Sequence, residues 1–291
     1  MSEAGYREGR FTSQDNIRIY YRDYGDPLSP ATPLLCLTGL TRNSADFHDF
    51  ALRLSGQRRV ITMDYRGRGR SDYDPDHMNY VPPTYVMDIV HLLAVTNCHR
   101  VIVVGTSLGG ILAMVMGAVR PTVLAGVILN DIGPELDPRG IARITGYVGT
   151  SVPITNFDGA AEQLKRMFSR AYPDLSDDDW HAYAKRTFVN GEHGHLRLDY
   201  DLNLSKALLA QAKAPTDLWP YFRSLAHVPL LAIRGALTDI LSEETFDRMA
   251  DVHSGLIRVS VPNRGHVPLL DEPECTSAID DFLERYGHGA H

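Results

Sequence analysis

Short, largely apolar runs recur along this chain with helix-length segments between them, and that alternation narrows the fold more than any other feature. The runs fall at residues 34–38 (LLCLT), 60–64 (VITMD), 101–105 (VIVVG), 123–130 (VLAGVILN), 228–234 (VPLLAIR) and 256–261 (LIRVSV). Continuous apolar character over so few residues suits parallel strands covered on both faces. Another segment, 16–24 (NIRIYYRDY), alternates polar and apolar residues as a strand with one solvent face does. Helix-length stretches at 44–55, 82–96, 108–120, 242–252 and 272–286 lie between most of the runs. The pattern predicts an α/β chain: a mostly parallel central sheet with helices on both faces.

Between about 134 and 215 the rhythm stops. No buried-strand run occurs there, while YVGTSVPITNF and AYPDLSDDDW punctuate two amphipathic segments, 159–171 and 177–190. The second opens on a run of aspartates, which suits the positive end of a helix dipole. The region reads as a helical insertion, residues 134–214, in a core made of 1–133 and 215–291. Because open α/β sheets bind ligands at the carboxyl ends of their strands, an insertion after a strand is expected to lie over that edge as a cap or lid. Its aromatic residues Tyr147, Phe157, Trp180 and Phe188 are candidates for lining a pocket or for plain packing.

The run at 101–105 leads straight into GTSLGG and then an apolar helical stretch. Gly105 and Gly110 have the spacing of a phosphate-binding loop, but Ile111 and Leu112 follow where Lys and Ser or Thr are needed. Neither this stretch nor GRGRSD at 67–72 supplies Gly-x-Gly-x-x-Gly, so dinucleotide binding is excluded as well. What remains is Gly-x-Ser-x-Gly in a strand–turn–helix setting, which holds Ser107 out above the sheet as a nucleophile. The small residues Gly109, Ala113 and Gly117 are expected to let the following helix lie close against neighbouring strands.

A serine hydroxyl needs a base, and the base needs an orienting acid. His266 is the best-placed histidine, in the loop VPNRGHVP that follows the last run. His48 and His91 fall in helices, and His193 and His195 in the insertion. Two aspartates follow strands and compete for the third role: Asp239, after the run at 228–234, and Asp131, after the run at 123–130. Chain order favours Asp239, because its strand lies next to the final one and its His266 loop.

The order Ser107, Asp239, His266, together with the elbow, resembles the α/β-hydrolase superfamily over nearly the whole chain. DYRGRGRSD at 64–72 is similar to that family's D-x-R-G-x-G-x-S loop, and Arg66 is expected to brace loops without taking part in chemistry. The resemblance implies an oxyanion hole of two backbone N–H groups, from Leu108 and from Leu40. The second lies in Thr38-Gly39-Leu40, where the family usually has His-Gly-x, so the hydrogen bonding behind the hole must differ. The implied reaction is hydrolysis of a small carboxylic ester or lactone through an acyl-enzyme. Carbon–carbon bond hydrolysis of meta-cleavage-type diketones and a small-molecule receptor on a hydrolase scaffold are the alternatives. An aspartate-nucleophile reaction is not expected, since the elbow holds serine. No metal or organic cofactor is implied: there is no HExxH, and His193-Gly194-His195 has no clustered partners.

The remaining expectations are negative. A net charge of -7 argues against nucleic acid and anionic membrane surfaces. The opening MSEAGYREGRF has no apolar core for a secretory signal, and the longest apolar stretch, near GILAMVMGAV, is too short to span a bilayer. Three scattered cysteines, Cys36, Cys98 and Cys275, fit a reducing, cytoplasmic setting. A homodimer is left open.

Overall fold

The apolar runs become neighbouring strands. In the computed structural model, which describes residues 5–151, 153–212 and 216–288, the strands are β1 (Tyr6–Thr12), β2 (Arg18–Tyr24), β3 (Leu34–Leu37), β4 (Val60–Met63), β5 (Val101–Thr106), β6 (Leu124–Asn130), β7 (Phe188–Asn190), β8 (Leu196–Leu198), β9 (Leu230–Gly235) and β10 (Ile257–Val261). Eight of them form one sheet in the order β1-β2-β4-β3-β5-β6-β9-β10. β1 and β2 are antiparallel to their neighbours, and from β4 onward every pair is parallel. The helices are α1 (His48–Ser55), α2 (Pro82–Val95), α3 (Leu108–Val119), α4 (Pro138–Tyr147), α5 (Phe157–Phe168), α6 (Asp177–Thr187), α7 (Leu204–Ala212), α8 (Trp219–Arg223), α9 (Glu243–Val252) and α10 (Pro273–Tyr286).

Side-chain alternation along the central strands divides the core in two. Leu35, Leu37, Val101, Val103 and Leu129 face the side covered by α2, α3, α8 and α9. Leu34, Cys36, Ile102, Val104 and Ile128 face α1 and α10. Covering both faces is what makes β3, β4 and β6 buried at every residue. Among the described residues β10 pairs only with β9, and its residues alternate between partly buried and exposed until Val261.

β1 has no counterpart in the sequence reading. Its residues YREGRFT are largely polar because the strand sits at the sheet edge with few of them buried. Its pairing with β2, Tyr6 opposite Tyr24, is a hairpin contact that apolar patterning does not report.

The described residues of the segment after β6 form helices α4 to α7 and a short antiparallel hairpin, β7–β8. The segment read as one helix over 177–190 ends at Thr187, and Phe188 turns extended to pair with Leu198. α6 starts as its aspartates predict, with a reciprocal Ser176–Asp179 capping box. Ile154, Leu164, Trp180, Phe188 and Leu196 form a core of their own in this segment, whereas Val148, Leu204 and Ala207 pack on the main core. The expected boundary at 214/215 and the first four residues of the chain lie outside the described residues. No helix among the described residues is long and apolar enough to cross a membrane.

Arg66, in the loop after β4, ties neighbouring loops to α2. Its guanidinium, 1% exposed, bonds Asp15, Asp74 and Asp88, and the last two are as deeply buried. The Arg66 hydrogen bond pulls the Asp15 carboxyl down to about 2. The stability this adds is complete above the ordinary value of 3.8 and is lost as pH falls through about 2. Arg66→Met leaves two buried carboxylates without a counterion. It is expected to cost about 3–5 kcal/mol in urea unfolding at neutral pH, and a loss below ~1 kcal/mol would contradict this role.

Candidate active site

Strand order reverses beside β3: β4 lies on one side of it and β5 on the other. Loops leaving the carboxyl ends of β3 and β5 diverge there and open the crevice where α/β sheets bind ligands. Ser107 is the first residue after β5, with φ 51° and ψ -114°, a strained conformation for a residue other than glycine. Two glycines make the sharp turn feasible. A side chain at Gly105 would come within 2.6 Å of the Gly109 backbone, and one at Gly109 would overlap the carbonyl of Leu37. The far end of the small-residue stripe, Gly117, meets Ser224 and Leu225 rather than a strand.

Ser107 does not cap α3 with its side chain. Its hydroxyl lies 2.9 Å from His266 Nε2, and His266 Nδ1 lies 2.7 Å from Oδ2 of Asp131. Because a carboxylate only accepts, Nδ1 carries the proton and Nε2 is left to receive one from Ser107. Asp131 is fully buried, and its two oxygens also accept from the Gly235 N–H at 2.8 Å and the Thr238 hydroxyl at 2.6 Å. Its backbone, at φ 54°, is pinned by its own N–H to the Ile233 carbonyl. Asn130, just before it, donates to Thr106 and to the Pro268 carbonyl, tying the His266 loop to the strand ends.

This corrects the assignment of the acid. Asp239 is not on His266: its carboxylate is bonded by Nε and Nη2 of Arg143, from α4, at 2.5 and 2.7 Å. That hydrogen bond holds the Asp239 carboxyl below its ordinary range. The reason is sheet order. β6 is hydrogen-bonded directly to β5, with Asn130 opposite Thr106, so the residue after β6 emerges beside Ser107. Asp239 is displaced along the loop that follows β9, toward the insertion.

Leu40 and Leu108 line the cleft next to Ser107. Leu108 opens α3, where a backbone N–H has no partner within the helix. Thr38 stands where the related pattern has His, and the loop is held by other means. The Gly109 N–H and the Tyr65 hydroxyl donate to the Thr38 carbonyl, and Arg68 Nε donates to the Leu40 carbonyl at 2.8 Å. Arg68 is fully buried among Tyr65, Tyr80 and Tyr85, and nothing in its motif marked it apart from Arg66.

The cleft above Ser107 has a volume of about 2040 Å³ and takes walls from both the sheet loops and the insertion. Of the four aromatic candidates, Tyr147 and Phe188 line it, while Phe157 packs against the insertion's own core and does not. Trp180 does not: it is buried in the insertion's own core, stacked on Tyr183. The guanidinium groups on the cleft wall are paired with carboxylates, as in Arg42 with Asp46 at 2.6 Å and Arg248 with Glu135 at 3.0 Å. Among the described residues no group of three or more His, Cys, Asp or Glu could hold a metal ion.

Residues 34–274 match the alpha/beta hydrolase family. The chain is 33% identical over 274 residues to a 3-hydroxybutyrate-oligomer hydrolase of Cupriavidus necator, covering 91% of this chain and 92% of that one. It is 27% identical over 256 residues to a 2-(acetamidomethylene)succinate hydrolase of Mesorhizobium japonicum, covering 86% and 87%. A crystal structure of an alpha/beta hydrolase from Novosphingobium aromaticivorans superimposes with a TM-score of 0.92 at 42% identity, covering 98% of this chain and all of that one. An eight-stranded, mostly parallel sheet with a serine elbow after β5 defines the class, and the chain belongs to the alpha/beta hydrolase family.

Proposed function

We propose that this hydrolase is a serine hydrolase that cleaves small carboxylic esters or lactones through an acyl-enzyme. The observation that carries the reading is the unbroken line of hydrogen bonds from Ser107 through His266 to Asp131. His266 Nε2 takes the Ser107 proton as the oxygen attacks the ester carbonyl, and Asp131 holds the imidazole in the tautomer that can accept it. The backbone N–H groups of Leu40 and Leu108 stabilise the oxyanion. His266 then protonates the departing alcohol, and water attacks the acyl group with His266 again as base. Arg68 keeps the Leu40 loop in place.

Residues 134–214 act as the cap. Cleft walls contributed by Tyr147, Leu164, Tyr183 and Phe188 support this. Pairing of the cleft's guanidinium groups with carboxylates favours an uncharged reacting group over a phosphate ester. The name of the Cupriavidus necator relative points the same way, since hydroxybutyrate units in an oligomer are joined by carboxylic esters. The free, buried Cys36, Cys98 and Cys275 favour a cytoplasmic setting.

A fluorophosphonate probe followed by peptide mapping tests the nucleophile. Modification is expected on the peptide holding Ser107, with turnover of chromogenic acetate or butyrate esters lost in step with labelling. Absence of an adduct, or an adduct elsewhere, would overturn the reading. Cleavage of a meta-cleavage-type diketone without ester turnover would move the reaction to carbon–carbon bond hydrolysis.

A further inference from the structure

The loop that carries His266 is gripped from the insertion on both sides of the imidazole. One residue before it, the Gly265 N–H donates to the Ala171 carbonyl at 2.7 Å. A side chain at Gly265 would stand 2.6 Å from Ala171 Cβ, so the two backbones approach closely. One residue after it, the Val267 N–H donates to the Tyr172 hydroxyl at 2.8 Å, and that hydroxyl donates back to the Val267 carbonyl at 2.9 Å. Arg264 adds an ion pair to Asp174 and a bond to Glu272 at 2.7 Å. Residues 171 to 174 lie in the turn between α5 and α6.

Tyr172 is itself immobilised. It is 3% exposed, with its ring edge-on to Trp180 and Tyr183. Burial pushes its phenol well above the usual range, so the hydroxyl keeps its proton and its role as donor.

We propose that Tyr172 is a positioning residue for the catalytic base, and that the α5–α6 turn is part of the support of His266. This corner of the insertion therefore stays docked through the catalytic cycle, because swinging it open would release the peptides on either side of the imidazole. The inference rests on the reading of Ser107 and His266 as nucleophile and base. Its physical basis is that displacing a reacting group by about 1 Å costs roughly a hundredfold in rate. Removing the Tyr172 hydroxyl leaves both polar groups of Val267 without their partner, and the loop must shift to find water.

The test compares Tyr172→Phe with Leu196→Ala. Leu196 is buried in the insertion's core on β8, so the second variant loosens packing while leaving every bond to residues 264–267 in place. Tyr172→Phe is expected to lower kcat and the rate of fluorophosphonate labelling by the same factor, about ten- to a hundredfold, with KM within about twofold. Leu196→Ala is expected to lower Tm and keep the wild-type kcat. Wild-type kcat and labelling rate in folded Tyr172→Phe would overturn the proposal, as would a kcat loss that follows Tm equally in both variants. If Tyr172→Phe does not fold, Asp174→Asn weakens the same grip from the exposed rim through Arg264. A several-fold fall in kcat at unchanged KM is then expected, and an unchanged kcat overturns the proposal. Failure of the underlying reading would look different, because the wild-type chain itself would not label at Ser107.

Discussion

Ser107→Ala is expected to fold as the parent does and to lose nearly all turnover. The substitution deletes one hydroxyl and its hydrogen bond to His266, whose net contribution to stability is on the order of 0.5–1.5 kcal/mol. The strained backbone at φ 51° is held by Gly105 and Gly109, which the change does not touch. Catalysis has no such tolerance. Without the oxygen no acyl-enzyme forms, and removing the nucleophile of a comparable triad costs roughly six orders of magnitude in kcat. The measurement is kcat on one activated ester, alongside Tm and intact-protein mass after fluorophosphonate treatment. A variant that still gains the mass of the label, or keeps a rate near the parent's, would remove Ser107 from its proposed role.

Asp131→Asn is expected to be the second most damaging change, and Asp239→Asn to be mild. Asparagine is among the residues that tolerate the left-handed backbone of position 131, so the fold of the turn is preserved. The carboxamide oxygen can still accept from the Gly235 N–H. Its NH2, however, then faces His266 Nδ1 and favours the tautomer with the proton on Nε2, which cannot accept from Ser107. In a comparable triad this exchange lowers kcat by about 10⁴. Asp239→Asn breaks the pair with Arg143, in which both side chains are about one-third exposed, and pairs of that kind are worth about 0–1 kcal/mol. Its kcat should stay within a few-fold of the parent. Measuring both variants on the same ester decides the matter, and a crippled Asp239→Asn beside an active Asp131→Asn would reverse the assignment.

That reversal of candidates marks the limit of what could be read along the chain. The strands in the middle of the sheet were legible because they are covered on both faces, buried at every residue and so largely apolar, as β3, β4 and β6 are. The polar edge strand β1 was not, because its pairing with β2 is made by backbone bonds that place no demand on side-chain character. Trp180 was a pocket candidate as an aromatic in the insertion, but it fills that segment's own core. An aromatic residue reads the same in sequence whether it faces a ligand or a neighbouring helix.

The sequence by itself determined the alternating α/β architecture, the elbow at Ser107 and the loop that offers His266, since each rests on local chemistry: apolar period, glycine spacing, and a histidine following a strand. Only the tertiary structure decided which aspartate meets that histidine, that Arg68 holds the Leu40 loop, and that Tyr172 grips the peptide after His266. Those contacts depend on the order of strands in the sheet and on backbone groups far away in the chain. Asp131 and His266 are 135 residues apart, and Tyr172 and Val267 are 95 apart. A hydrogen bond to a backbone carbonyl requires nothing of the side chain at that position, so it leaves no trace in the sequence.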